Sequence, residues 1–353
     1  MSMEYKNITT MPFLNHTEEN TNSFASMPGF KVIFTLILIV IMFGMGCAVD
    51  HKKLITNLKK PVGISVGLGC QIFLVPVITY GLIKLSSMTP LQALALMLVG
   101  CSPGGSNSNV ITYLIHGDIS LSVAMTSFSN MLALVTVPMW LLIFMSIEHM
   151  DDNIKIPYES LGITLLSIAI SIILGMGFRY KYPQHSKIIP KVCSGIALVI
   201  LLITIIVLIV VTKVEFKFAA ETILPTAFLP IIGMVISYLI ACIPPLNLQG
   251  RSKKAIAIEV GIQNSGLANS VLFLTYGDRP QCIAEVITIP LIYNIFQTAY
   301  IFIIVSGYRI WFCQRNKRQQ DEENVVGVAN DDKYENQQVR FTEADPFCTS
   351  EKA

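Results

Sequence analysis

A chain of 353 residues that is 53% hydrophobic and only 14% charged, with a mean hydropathy of +0.60, is too apolar to fold as a water-soluble domain. Its formal net charge of +2 says little by itself, because in such a chain the placement of Lys and Arg matters rather than their sum. The composition predicts an all-α polytopic membrane protein whose first partner is the lipid bilayer, with no nucleic acid among its partners.

Residues 1–29 are polar and lack the basic start, apolar middle and small-residue cleavage site of a secretory signal. They hold two sequons, Asn7-Ile8-Thr9 and Asn15-His16-Thr17, which predict an extracellular tail glycosylated at Asn7 and Asn15. A membrane region over 30–310 then follows. A helix needs about 20 apolar residues to cross a bilayer, and nine stretches qualify, near 31–49, 62–84, 89–115, 119–147, 158–178, 192–212, 222–243, 255–276 and 283–306. Five cysteines, Cys47, Cys70, Cys101, Cys193 and Cys242, fall in or beside these runs, where a free thiol behaves as a small hydrophobe.

The connecting loops differ in charge. Lys52, Lys53, Lys59 and Lys60, then Arg179, Lys181, Lys187 and Lys191, then Arg251, Lys253 and Lys254, and finally Arg309, Arg315, Lys317 and Arg318 fall on one side if nine helices alternate. The opposite loops are poorer in Lys and Arg and include the acidic Glu148-His149-Met150-Asp151-Asp152. The positive-inside rule therefore puts the N-terminus outside and the C-terminus in the cytoplasm of a multi-pass plasma-membrane protein, in agreement with the sequons. Residues 311–353, rich in Gln, Asn, Asp and Glu, are expected to form a disordered cytoplasmic tail.

Two of the nine runs are interrupted. In the third, Pro103-Gly104-Gly105 is followed by Ser106-Asn107-Ser108-Asn109; proline removes a backbone donor and paired glycine removes helix preference. The eighth breaks around Gly261 and Gly266. Unwound backbone at membrane depth is tolerated only where protein or a wet cavity covers it, so both breaks are expected to face the interior. With runs 1–4 and 6–9 taken as two groups, each broken run is the third of its group, and the groups enter the membrane from opposite sides. That is the arrangement of inverted repeats, with a site at the midplane between discontinuous helices.

The eighth run also carries Glu259, in the stretch Glu259-Val260-Gly261-Ile262-Gln263-Asn264-Ser265-Gly266-Leu267-Ala268-Asn269-Ser270. A carboxylate at mid-bilayer costs roughly 2.5–3.5 kcal/mol on insertion scales, and no Lys or Arg lies inside any apolar run to offset it. The compensating positive charge is therefore a proton or an ion from solution, and the neighbouring oxygen-bearing side chains suit a hard cation such as sodium. No enzyme is indicated. There is no Walker loop, no metal-ligand spacing of His or Cys and no nucleophile beside a base, so neither a catalytic residue nor a cofactor is expected.

Three motifs in order, Pro103-Gly104-Gly105-x-x-Ser108-Asn109, Gly117-Asp118-x-x-Leu121-Ser122-x-x-Met125-Thr126 and Glu259-x-Gly261-x-Gln263-Asn264, resemble the sodium/bile acid cotransporter family. Gln71, Pro76 and Pro290-Leu291-x-Tyr293-x-x-Phe296-Gln297 extend the resemblance across the membrane region. It implies a panel domain near 31–49, 158–178 and 192–212, and a core domain near 62–147 and 222–306 in which the two broken helices cross. It also implies two sodium sites, sodium being the only metal: one among Ser108, Asn109, Ser122, Thr126 and Glu259, the other among Gln71, Gln263 and backbone oxygens near Glu259, Val260 and Ile262. Val260 and Ile262 stand where hepatic-type members show Thr and Cys. The implied function is sodium-coupled symport of an amphipathic organic anion, a bile acid or sulfated steroid, into the cell. A proton-coupled organic anion transporter and a non-transporting membrane receptor that keeps the fold are the alternatives.

Overall fold

The structure, a computed structural model, describes residues 61–105, 107–148, 158–185, 219–276 and 280–330, with short pieces between 39 and 47 and between 188 and 195. Among these residues there is no strand. The helices are α1 (Pro61–Lys84, with a π-turn at Cys70–Leu74), α2 (Pro90–Cys101), α3 (Asn107–Leu114), α4 (Ile119–Ile147), α5 (Tyr158–Lys181), α6 (Ala220–Ala241), α7 (Gly250–Gly261), α8 (Ser265–Tyr276) and α9 (Pro280–Asn330). The apolar runs predicted from 62 to 178 and from 222 to 276 thus become helices close to their expected bounds, and the run at 283–306 lies within the longer α9. The run at 192–212, the sequons at Asn7 and Asn15 and the chain beyond Asn330 lie outside the described residues, and the run at 31–49 is described only in pieces. Taken singly, Pro61–Lys84, Ala220–Ala241 and the Glu285–Arg318 part of α9 are long and apolar enough to cross a bilayer.

Local chemistry sets where the helices begin and end. Thr89 opens α2 with a capping box, its hydroxyl accepting from the Gln92 amide while the Gln92 side chain accepts from the Thr89 amide. The same hydroxyl donates to Glu285, tying α2 to the start of α9. Asp118 caps α4 by accepting from Leu121 N at 3.1 Å. In the turn before it His116 takes the left-handed conformation, with φ 52°, and Gly117 N donates to Thr112 O at 2.8 Å across the end of α3. Gly117 serves instead as the close contact, because a Cβ there would meet Thr112 Cγ2 at 2.7 Å.

Helix α9 continues past its apolar part to Asn330. The stretch from Gln314 to Glu323 is dense in Gln, Lys, Arg and Glu, all good helix formers, and a helix already nucleated in the apolar part extends into it at little cost.

The core lies where α7 is surrounded by α6, α4, α1 and α3, and where α2 packs on α9, α1 and α4. Residues 93–101 of α2 are buried on every side, as expected of a helix apolar all round. Ile256, Val260, Met125, Leu96 and Tyr293 lie at its centre. Gly261 lets α7 approach α6 closely, since a Cβ there would run into the Met234 side chain and lie 2.9 Å from Pro230 O.

Candidate functional site

The two helix breaks meet. Gly104 and Gln263 form a single antiparallel bridge, in which Gly105 N donates to Ile262 O at 2.9 Å and Asn264 N donates to Pro103 O at 2.8 Å. The amides and carbonyls released by each interruption thus satisfy one another, which is what backbone inside a bilayer requires. Gly104 N also donates to Ser129 Oγ at 3.3 Å.

One turn before its break, α7 presents Glu259, 0% exposed, to three hydroxyls. Ser108 Oγ and Ser122 Oγ donate to Oε2 at 2.6 and 2.8 Å, and Thr126 Oγ1 donates to Oε1. Ser122 and Thr126 are four residues apart on α4 and share a face, whereas Ser108 sits on the first turn of α3 just after the break. Asn109 Nδ2 donates to Thr126 Oγ1 at 3.2 Å, and its Oδ1 is buried without a partner. The structure therefore brings Ser108, Asn109, Ser122, Thr126 and Glu259 into one cluster. Among the described residues no Lys or Arg pairs with the carboxylate.

The second predicted set gathers on the other side of the crossing. Gln71 Nε2 donates to Gln263 Oε1 at 3.0 Å, and Gln263 Nε2 donates to Val260 O at 2.8 Å. Gln71 Oε1 is buried and unpaired. Ile262 O is held by the bridge, yet each carbonyl keeps a second lone pair. Gln71 reaches this place from the π-turn of α1, for which the sequence offers a reason. Pro76 has no N–H for Ile72 O, and Trp140 Nε1 donates to that carbonyl instead at 2.7 Å.

Several residues outside the two predicted ligand sets also contribute. Thr112 Oγ1 donates to Ser122 Oγ at 3.3 Å, and Gln297 Oε1 accepts from Gln263 N at 3.1 Å. Tyr293, part of the motif in the ninth run, donates from its hydroxyl to Gly261 O at 3.0 Å and accepts from Gln263 N at 3.4 Å. Asn269 is buried with both amide atoms unpaired. Their common signal, a polar side chain in an apolar run, is shared by many Ser and Thr that merely bond their own helix, as Thr79 and Ser171 do in this chain. Tyr293→Phe deletes the hydroxyl and leaves Gly261 O unpaired, at a cost of about 1–3 kcal/mol. The purified variant should unfold at a lower temperature than the parent, and an unchanged midpoint would deny the hydroxyl this part in the crossing.

Residues 35–218 match the model of the sodium bile acid symporter family. The human ileal sodium/bile acid cotransporter is 33% identical over 291 residues, 82% of each chain. The human sodium-dependent organic anion transporter is 33% identical over 283 residues, 80% of this chain and 74% of its own. The ileal sodium/bile acid cotransporter of Cricetulus griseus is 35% identical over 296 residues, 82% of each chain.

Proposed function

The chain belongs to the sodium bile acid symporter family, whose members are transporters rather than enzymes, and on that premise we propose that it is a sodium-coupled symporter importing an amphipathic organic anion across the plasma membrane. The cargo class is that of bile acids and sulfated steroids. The observation that carries the coupling is Glu259, wholly buried against three hydroxyls and, among the described residues, with no cationic side chain beside it.

One sodium ion is held among Ser108, Asn109, Ser122, Thr126 and Glu259. To coordinate it the hydroxyls must turn their protons away and offer lone pairs, and two of them have somewhere to turn. Ser108 Oγ already lies 2.6 Å from Gly105 O, and Thr126 Oγ1 lies 3.0 Å from Ser122 O. Asn109 Oδ1, an acceptor with no donor, fits the same ion. The second sodium is held by Gln71 and Gln263 with the Val260 and Ile262 carbonyls, and Gln71 Oε1 is likewise an acceptor in want of positive charge. Leaving such an oxygen buried and unmet costs about 1–3 kcal/mol, which ion binding recovers.

These ligands come from α1, α3, α4 and α7, so loading ties both breaks into one arrangement, beside which the anion binds. Core and panel domains built from inverted repeats in a nine-helix, N-outside layout then rock to alternate access. No resident cofactor is needed. With two ions per monovalent anion one positive charge enters per cycle, and the membrane potential adds about 2.3 kcal/mol per 100 mV.

Replacing external sodium by choline at fixed pH should abolish uptake of a bile acid and of a steroid sulfate, while an inside-negative potential should accelerate uptake in sodium. Undiminished uptake in choline would turn the reading to proton coupling at Glu259. No uptake of either compound in sodium, with protein at the surface, would favour the non-transporting receptor.

A further inference from the structure

At the end of the helices where the basic loops lie, α6, α7 and α9 do not close on one another. They leave a groove of about 280 Å³ lined by Met234, Val235, Leu239, Ile258 and Ile304, with Lys254 as its charged lining residue. Val235 and Leu239 are 52% and 61% exposed, so this side of the groove opens to hydrocarbon rather than to the interior that holds Glu259.

Lys254 is only partly compensated. Its Nζ donates to Ile115 O and to Tyr308 OH, each at 3.2 Å, and lies 4.3 Å from the centre of the Tyr308 ring. All of these partners are neutral, and among the described residues no carboxylate pairs with the ammonium. An ammonium has three N–H donors, so one is left over. Arg251 and Lys253 precede it on α7, and Arg309 follows Tyr308 on α9, which adds to the local positive charge.

The polarity of this groove is that of one lipid molecule: an apolar channel entered sideways from the bilayer, with a cation at one end. We propose that it seats a single acidic phospholipid, whose acyl chain lies along Val235, Leu239 and Ile304 and whose phosphate accepts from Lys254 Nζ. Basic recesses between membrane helices near the cytoplasmic face favour anionic headgroups in this way. A choline headgroup brings its own cation towards Lys254, Arg251 and Arg309 and is disfavoured. Ala257 and Ile258, which also line the groove, immediately precede Glu259, so the seated lipid bears on the half-helix that carries the acid.

The full-length protein in detergent, titrated with phosphatidylglycerol or phosphatidylcholine and weighed by native mass spectrometry, tests the assignment. One phosphatidylglycerol should be retained with a preference of about fivefold over phosphatidylcholine, the weight of one basic residue against an anionic lipid. K254Q, which keeps an amide donor for Ile115 O, should bring that preference near unity. L239W, placed on an exposed face, should fill the channel and reduce retention of phosphatidylglycerol. Equal retention of the two lipids by the parent protein overturns the proposal, as does a preference that survives K254Q or an undiminished retention of phosphatidylglycerol by L239W, each in monodisperse protein. Displacement of the lipid by millimolar inorganic phosphate alone would make this a site for free anions and overturn it equally.

Discussion

Glu259→Gln is expected to abolish sodium-driven accumulation of cargo while the protein still folds and reaches the cell surface. The amide keeps the shape of the acid. Its oxygen still accepts from Thr126, and Ser108 can redirect its proton to Gly105 O, 2.6 Å away. The negative charge, by contrast, is lost, and the three hydroxyls around it are neutral. Removing one member of a buried charge pair costs roughly 3–5 kcal/mol. At 1.4 kcal/mol per tenfold, sodium affinity should fall at least about 100-fold. Two readouts check this independently of each other: initial uptake of a bile acid at matched surface expression, and the rise in unfolding temperature that sodium gives the purified parent protein. A ligand that binds only the folded state stabilises it by mass action, so the variant should lose the sodium-dependent rise. Its stability in choline should hold or increase, because the desolvation cost of a buried carboxylate is gone. Normal accumulation by the variant would rule out coupling through Glu259.

How much of this was legible in the sequence depends on the range of the forces involved. Hydropathy is a local sum, so the helices from Pro61 to Lys181 and from Ala220 to Tyr276, and the start of α9 at Pro280, could be placed to within a few residues. The interruptions at Pro103 and Gly261 were legible for the same reason, since lost donors and lost helix preference act on the residue itself. Their meeting was expected only from the repeat arrangement and the family resemblance. The bridge from Gly104 to Gln263 spans most of the core, and no local pattern announces which of two exposed backbones will satisfy the other. The π-turn that aims Gln71 at Gln263 depends on Pro76 and also on an indole from α4 reaching Ile72 O. On its sequence Tyr293 serves packing and cleft lining equally well; only the position of its hydroxyl makes it a strut.

The adjacent glycines at the first break make the sharpest case of what sequence alone leaves equal. Read as residues, Gly104 and Gly105 are interchangeable helix breakers. In the structure a Cβ on Gly104 would drive into Glu259 Oε1 and lie 3.1 Å from its Cδ, whereas a Cβ on Gly105 would meet Gln263 O at 3.4 Å and Ile262 Cγ2 at 3.6 Å, ordinary contact distances. Gly104→Ala must therefore push the carboxylate off its hydroxyls or open the bridge. Overpacking of this kind costs about 1–3 kcal/mol. Because the displaced group is the proposed ion ligand, the cost should appear as sodium affinity, with the sodium concentration for half-maximal uptake rising about 10–100-fold. Gly105→Ala should raise it by less than about threefold, since its new methyl group only completes a contact. Equal effects from the two substitutions would mean that the break tolerates or rejects any side chain alike, and that Gly104 is not there to make room for the acid. A large effect confined to Gly104 ties the glycine to the carboxylate, and so links the unwinding of one helix to the ion chemistry of the other.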